Sequence, residues 1–134
     1  MNLALAVAGS VVALVAAGIH GMIFVLESIL WTRPSTRRTF GVRSADDAEV
    51  LRPMAFNLGF YNLFLGIGAL LGLVLLAVGA TEAGVALVLF ALASMLLAAV
   101  VLLASNPRML RAALVQGAAP AVGILLLVLG LVVP

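Results

Sequence analysis

The sequence predicts an all-α integral membrane protein, a four-helix bundle whose consecutive helices run as antiparallel up-down neighbours. Three observations carry this. Apolar residues make up 66% of the 134-residue chain and charged residues only 9%, far too little polar surface for a soluble domain of this size. The apolar residues are gathered in runs longer than the ~18 residues that mark a membrane span. The later runs are joined by connections so short that neighbouring helices must reverse direction and lie side by side. A single transmembrane domain over residues 1–134 follows, with no length left for an extramembrane domain.

The first span is expected over about 3–31. Its opening stretch, MNLALAVAGSVVALVAAG, lacks the basic start of a signal peptide, and the apolar run continues into IHGMIFVLESILW, so it reads as a retained span. At ~1.5 Å per residue this span is ~43 Å long against ~30 Å of hydrocarbon, and it must tilt or project from the bilayer. A loop over about 32–53, TRPSTRRTFGVRSADDAEVLRP, follows with five of the seven arginines and three of the five acidic residues. Within it Ser44 and Asp47 have the spacing of a capping box that opens a short helix, and Pro53 is expected to kink or end that helix. Spans over about 54–78, 83–104 and 110–132 complete the bundle. GATEAG joins the second to the third, and SNPRML the third to the fourth.

All seven basic residues are arginines, Arg33, Arg37, Arg38, Arg43, Arg52, Arg108 and Arg111, and all fall in or beside the first and third connections. By the positive-inside rule those connections are cytoplasmic, so both termini and the turn at Gly79–Gly84 face outward, with Trp31 as an interfacial anchor at the inner end of the first span. The basic pI of about 10.5 then reflects topology and an anionic lipid surface. It does not indicate nucleic acid, which would need aromatics interleaved with the arginines on a soluble face. The absence of cysteine excludes disulfides, thiolate metal sites and cysteine nucleophiles.

Polar residues inside the spans are the candidates for function. His20, Phe24, Glu27 and Trp31 are spaced by four, three and four residues and share one helical stripe. That stripe is expected to face the bundle, because an ionisable group turned to lipid near the bilayer centre costs roughly 2.5–3.5 kcal/mol. Counting inward from Trp31 puts Glu27 ~6 Å and His20 ~16 Å deep; counting from Arg52 puts Asn57 ~7 Å, Tyr61 ~13 Å and Asn62 ~15 Å deep. Glu27 is thus level with Asn57 and with Gln116 of the fourth span, and His20 with Tyr61 and Asn62 and close to the depth of Ser94. The other half of the bundle is almost entirely Ala, Val, Leu, Ile and Gly.

The expectation is a cavity on which His20, Glu27, Asn57 and Tyr61 converge. His20, Glu27 and Tyr61 are the candidate acid–base groups, Asn57, Asn62 and Gln116 the amides that bind or support, and Phe24 and Trp31 packing and anchor residues. Asn62 is turned about 100° from Tyr61 and is expected to support from behind. The competing reading is interhelical hydrogen bonding that only fixes register, at roughly 0.6 kcal/mol per bond. No metal site is expected, since one His and one Glu seven residues apart leave a site short of ligands. The sequence indicates no cofactor. Gly68 and Gly72 form a GxxxG step that permits close helix approach within the bundle or in a homo-oligomer. Gly59 similarly lets a neighbour or ligand reach the backbone.

His20, Phe24, Leu26, Glu27, Leu30 and Trp31 form H-x-x-x-F-x-L-E-x-x-L-W. With TFG at Thr39–Gly41 and N-x-G-x-Y-N over Asn57–Asn62, the chain resembles a family of small four-span bacterial membrane proteins, domain of unknown function thirteen-oh-four. The resemblance covers nearly the whole chain and implies four spans in the bacterial inner membrane, with a polar patch at these positions. Family members often carry Gln where this chain has Leu58, so that amide is not available here. The resemblance implies no activity.

Three classes of function fit. The first is an intramembrane site for a lipid or other hydrophobic small molecule, binding it or transferring a proton through Glu27 or His20. The second is a small proton-coupled exporter, which would share four spans and a first-span glutamate with small multidrug transporters but lack their other motifs. The third is an accessory subunit of a larger membrane complex. The first is preferred, with an enzyme no more expected than a binder.

Overall fold

Asn2 starts the first helix by accepting a hydrogen bond from the Leu5 amide through its side-chain oxygen, at 3.2 Å. In the computed structural model, which describes residues 2–134, α1 runs Leu3–Phe24 and passes without a break into a π-helical turn, Val25–Ile29. The turn closes where the Leu30 amide donates to the Val25 carbonyl at 2.9 Å, five residues back. A short α2, Pro34–Thr39, begins on a proline and is followed by Gly41 at φ 78°, where a side chain would be strained.

The second long helix, α3, spans Ala45–Ala77 and is capped by Ser44, whose hydroxyl accepts from the Asp47 amide at 2.9 Å. The capping residue is the one expected, but the helix is not short. Pro53 neither ends it nor separates it from the span that follows. Proline removes one N–H and leaves the Glu49 carbonyl without its helical donor. Both residues are exposed, so that loss falls outside the packed core. At ~1.5 Å per residue the 33 residues of α3 reach ~50 Å, and its first turns project beyond the hydrocarbon.

Gly79, at φ 87°, turns the chain into α4, Thr81–Ser105. Asn106 then caps a single 3-10 turn, Pro107–Met109, that leads into α5, Leu110–Val132. The Asn2 amide donates to the Gly130 carbonyl at 2.8 Å, so both termini lie at one end of the bundle. The two arginine-bearing connections lie at the other. Four segments, Leu3–Ile29, Ala45–Ala77, Thr81–Ser105 and Pro107–Val132, are long and apolar enough to cross a membrane. This is an all-α, multi-pass membrane bundle, with α1 packed between α3 and α5 and α4 completing the ring.

The packing is inside-out relative to a soluble protein. Ala13, Ala16, Ala69 and Ala91 are buried, whereas Phe56, Phe64, Phe90 and Leu97 are exposed. In lipid, burial of large apolar groups gains little between helices, so close approach of small residues must supply the attraction. A Cβ on Gly72 would stand 2.7 Å from the Val88 amide nitrogen, and one on Gly84 2.7 Å from that of Leu76. Here the α3 and α4 backbones nearly touch. Gly9 against Leu127 and Gly130 against Ala6 do the same for α1 and α5. Within the protomer the Gly68–Gly72 step faces α4, with Gly72 against Val88 and Gly68 over Ala91.

Candidate functional site

The end of α1 is joined to α3 at four successive levels. Outermost, the Trp31 indole N–H donates to the Ala48 carbonyl at 2.7 Å, and its ring lies 5.6 Å from that of Phe40. Next, the Ser28 hydroxyl donates to the Phe56 carbonyl at 2.9 Å. Then Asn62 Nδ2 donates to Glu27 Oε2 at 2.9 Å. Alongside, Phe24 meets Phe60 edge to face at 5.1 Å. Gly59 makes the approach possible. A Cβ there would collide with the Ser28 hydroxyl and lie 3.1 Å from the Ser28 amide nitrogen.

Glu27 sits in the middle of the π-helical turn and is only 8% exposed. Such a turn widens the helix by one residue and recurs at functional sites. The Asn62 amide gives both its hydrogens, one to Glu27 and one back to the Leu58 carbonyl at 3.1 Å, so its donors are fully used and its orientation is fixed. Glu27 Oε1 has no hydrogen-bond partner among the described residues. Nor does Glu27 have a cation: among those residues the one ion pair is Arg52 with Glu49, on the exposed start of α3.

His20 is 1% exposed, and its Nδ1 lies 3.0 Å from the Ala16 carbonyl one turn earlier in the same helix. A carbonyl only accepts, so in the neutral ring Nδ1 carries the proton and Nε2 is the acceptor. Nε2 makes no hydrogen bond among the described residues. The stripe of His20, Phe24, Glu27 and Trp31 thus turns inward, with Phe24 half-buried and the others buried.

Asn57 and Tyr61 do not converge with them. Both are exposed, Tyr61 by 59%, on the outer face of α3. The face toward α1 is set by Gly59, Asn62 and Gly66, the last against the Ala17 carbonyl, and at 100° per residue that choice turns positions 57 and 61 away. Asn62 occupies the place expected for them. Counting set it ~9 Å deeper than Glu27, yet the two meet, and part of that gap closes because side chains lean toward the N-terminus of their own helix. On antiparallel helices that brings Glu27 deeper and Asn62 shallower. Gln116 on α5 is half-buried and makes no side-chain hydrogen bond among the described residues, and Ser94 donates to Phe90 of its own helix at 2.8 Å.

Ser28 and the π-helical turn escaped the reading of the sequence, where only Gly59 hinted that something approaches α3 closely. No three His, Asp or Glu side chains gather as metal ligands among the described residues. An apolar cavity of about 530 Å³ lies elsewhere, in the half of the bundle nearer the termini, lined by Val7, Leu14, Leu73, Val85 and Leu131. Its polar residues are bonded to backbone: Ser10 donates to the Ala6 carbonyl at 2.9 Å and Thr81 to the Gly79 carbonyl at 3.5 Å.

No curated protein and no solved structure matches the chain. One protein family does, over residues 14–128. That stretch takes in the second half of α1, the Glu27 turn, both arginine-bearing connections and most of α5. The chain belongs to the family described as Protein of unknown function (DUF1304).

Proposed function

We propose that the protein binds a lipid-soluble small molecule at the seam between α1 and α3, with the Glu27 carboxyl as the recognising group. One observation carries the reading. Glu27 is a buried intramembrane carboxyl with one oxygen held by Asn62 at 2.9 Å and the other unclaimed among the described residues. A carboxyl is an expensive way to join two helices when an amide would serve, and intramembrane ionisable residues usually mark a pathway or a site. Asn62 orients the carboxyl; the free oxygen accepts from a ligand hydroxyl or amine, or donates to a carbonyl when protonated. Phe24 and Phe60 give the seam an apolar wall suited to the body of such a molecule. His20 takes a supporting place in this reading, since its Nδ1 is committed to its own helix. The arginine end is cytoplasmic, and the site lies in that half of the bilayer.

The test compares small molecules that survive gentle detergent purification of the wild-type protein, Glu27→Gln and Glu27→Leu, extracted and identified by mass spectrometry. A compound retained by the wild type should be lost from both variants while their helical content is unchanged. Equal retention by all three proteins would end the reading.

A further inference from the structure

We propose that the cleft between the two arginine-bearing connections binds a phosphate group. The cleft, of about 810 Å³, is walled on one side by Arg38, Thr39, Gly41 and Arg43 from the connection between α1 and α3, and on the other by Asn106 and Arg108 from the turn between α4 and α5. A water molecule's share of liquid volume is ~30 Å³, so the space takes a phosphate with a glycerol-sized substituent and several waters. Three arginines line it and no Asp or Glu does. Asp47 lines an adjoining cavity that shares Gly41 and Arg43, yet it forms no ion pair with Arg43. Glu49 is engaged by Arg52, away from the cleft. None of the three lining arginines has an anionic partner among the described residues.

Both walls are held in place by local bonds before any ligand arrives. On one side Arg37 donates through Nη1 to the Arg43 carbonyl at 3.0 Å, the Val42 amide to the Arg37 carbonyl at 2.9 Å, and the Gly41 amide to the Arg38 carbonyl at 3.0 Å. Gly41, in the left-handed region, folds that wall over Met109 of the other. On the second side Asn106 Oδ1 accepts from the Arg108 amide at 3.2 Å, which leaves the Asn106 amide hydrogens pointing to no partner among the described residues. Guanidinium forks match phosphate oxygens in pairs, and a wall ordered in advance avoids part of the entropic cost of binding. The cleft stands where the apolar spans end, at Ser105 and Pro107, the level of lipid phosphates. The phosphate can belong to an anionic lipid headgroup or to a soluble phosphate. Its chemistry is the same in both cases, and this inference stands apart from the Glu27 seam.

The full-length protein, delipidated in a neutral detergent, is offered phosphatidylglycerol or phosphatidylcholine and read by native mass spectrometry, and separately titrated with inorganic phosphate by calorimetry. The cleft variant is Arg38→Gln/Arg43→Gln/Arg108→Gln; a charge-matched control is Arg33→Gln/Arg52→Gln/Arg111→Gln. Binding should fall at least about tenfold in the cleft variant relative to the control, each lost charge-assisted contact contributing about threefold or more. Phosphatidylglycerol binding without inorganic phosphate binding assigns a lipid headgroup; saturable inorganic phosphate binding assigns a soluble ligand. If neither binds the wild type, or the control loses as much as the cleft variant, the cleft is only part of a diffuse positive surface and the proposal falls. Circular dichroism checks folding, and where the triple variant misfolds, Arg108→Gln alone must lower binding about threefold against Arg111→Gln.

Discussion

The two halves of the bundle differ in what crosses between their helices: glycine allows close approach in both, at Gly59 and Gly117 as at Gly72 and Gly84, but side-chain hydrogen bonds between the helices gather in one. Toward the termini, helices meet through glycine: Gly72 and Gly84 bring α3 against α4, and Gly9 and Gly130 bring α1 against α5. Apart from Asn2 at the very end, no side-chain hydrogen bond there crosses between helices among the described residues. Toward the arginines, α1 and α3 are joined by Trp31, Ser28, Glu27 and Asn62. The first half shows that small residues suffice to close a bundle in lipid. Polar groups in the second half are therefore more than closure requires, and the proposed site at Glu27 draws on them.

The arginine end should face the cytoplasm and the end that holds the termini the outside, and that all-or-none difference is tested first. The protein has no cysteine, so each introduced thiol is unique. Cysteines replacing Glu82 or Pro134 should react with an impermeant reagent in intact cells, and one replacing Ser35 should not. Labelling at Ser35 alone would invert the orientation.

Gly72→Ala should then show the largest loss of stability. Its Cβ would stand 2.5 Å from Val88 Cγ2 and 2.7 Å from the Val88 amide. The side chain can move, but the backbone can yield only by separating α3 from α4, at a cost of about 2–3 kcal/mol. Gly68→Ala, four residues away, places its Cβ 3.8 Å from that of Ala91, an ordinary contact, and should lie within ~0.5 kcal/mol of wild type. Thermal unfolding in detergent separates the two. Equal losses would show that the glycine half is not packed as tightly as these distances say.

Much of this was legible in the sequence. Run length anticipated the four long apolar helices, although α3 starts at Ala45 and not near Met54. There the helix that the Ser44 cap opens runs straight through Pro53 into the span. Spacing found the stripe from His20 to Trp31, because a carboxylate and an imidazole in lipid have few places to turn. Rotation about the helix axis was not legible. Counting residues fixes height, while Gly59, through its contact with Ser28, decides which side of α3 faces α1. Nor does any local pattern announce the π-helical turn at Val25–Ile29, which packs against α3.

The polar half should respond more mildly than the glycine half but with measurable coupling. Glu27→Met and Asn62→Leu each remove one side of the 2.9 Å bond, and a double-mutant cycle on unfolding should return roughly 0.6–1.7 kcal/mol, the range for hydrogen bonds between membrane helices. Glu27→Gln should leave stability nearly unchanged, since its carbonyl oxygen still accepts from Asn62. A cycle that returns zero would mean that the carboxyl and the amide are neighbours without being partners.

The smallest effect is expected at Tyr61 and Asn57, and it discriminates most sharply between a site and a generally polar surface. Tyr61, Asn57 and Asn62 belong to one motif, N-x-G-x-Y-N, and by depth alone all three fall in the same half of the bilayer. Only Asn62 touches Glu27; Asn57 and Tyr61 are exposed on the other side of the helix and make no side-chain hydrogen bond among the described residues. Tyr61→Phe and Asn57→Leu should therefore change unfolding by less than about 0.5 kcal/mol, as surface substitutions away from special features do. They should also leave unchanged whatever compound the wild type retains. Asn62→Leu should lose that compound, because the carboxyl is no longer oriented. If Tyr61→Phe released it as fully as Asn62→Leu, the ligand would lie against the outer face of α3, and the seam at Glu27 would revert to a helix contact.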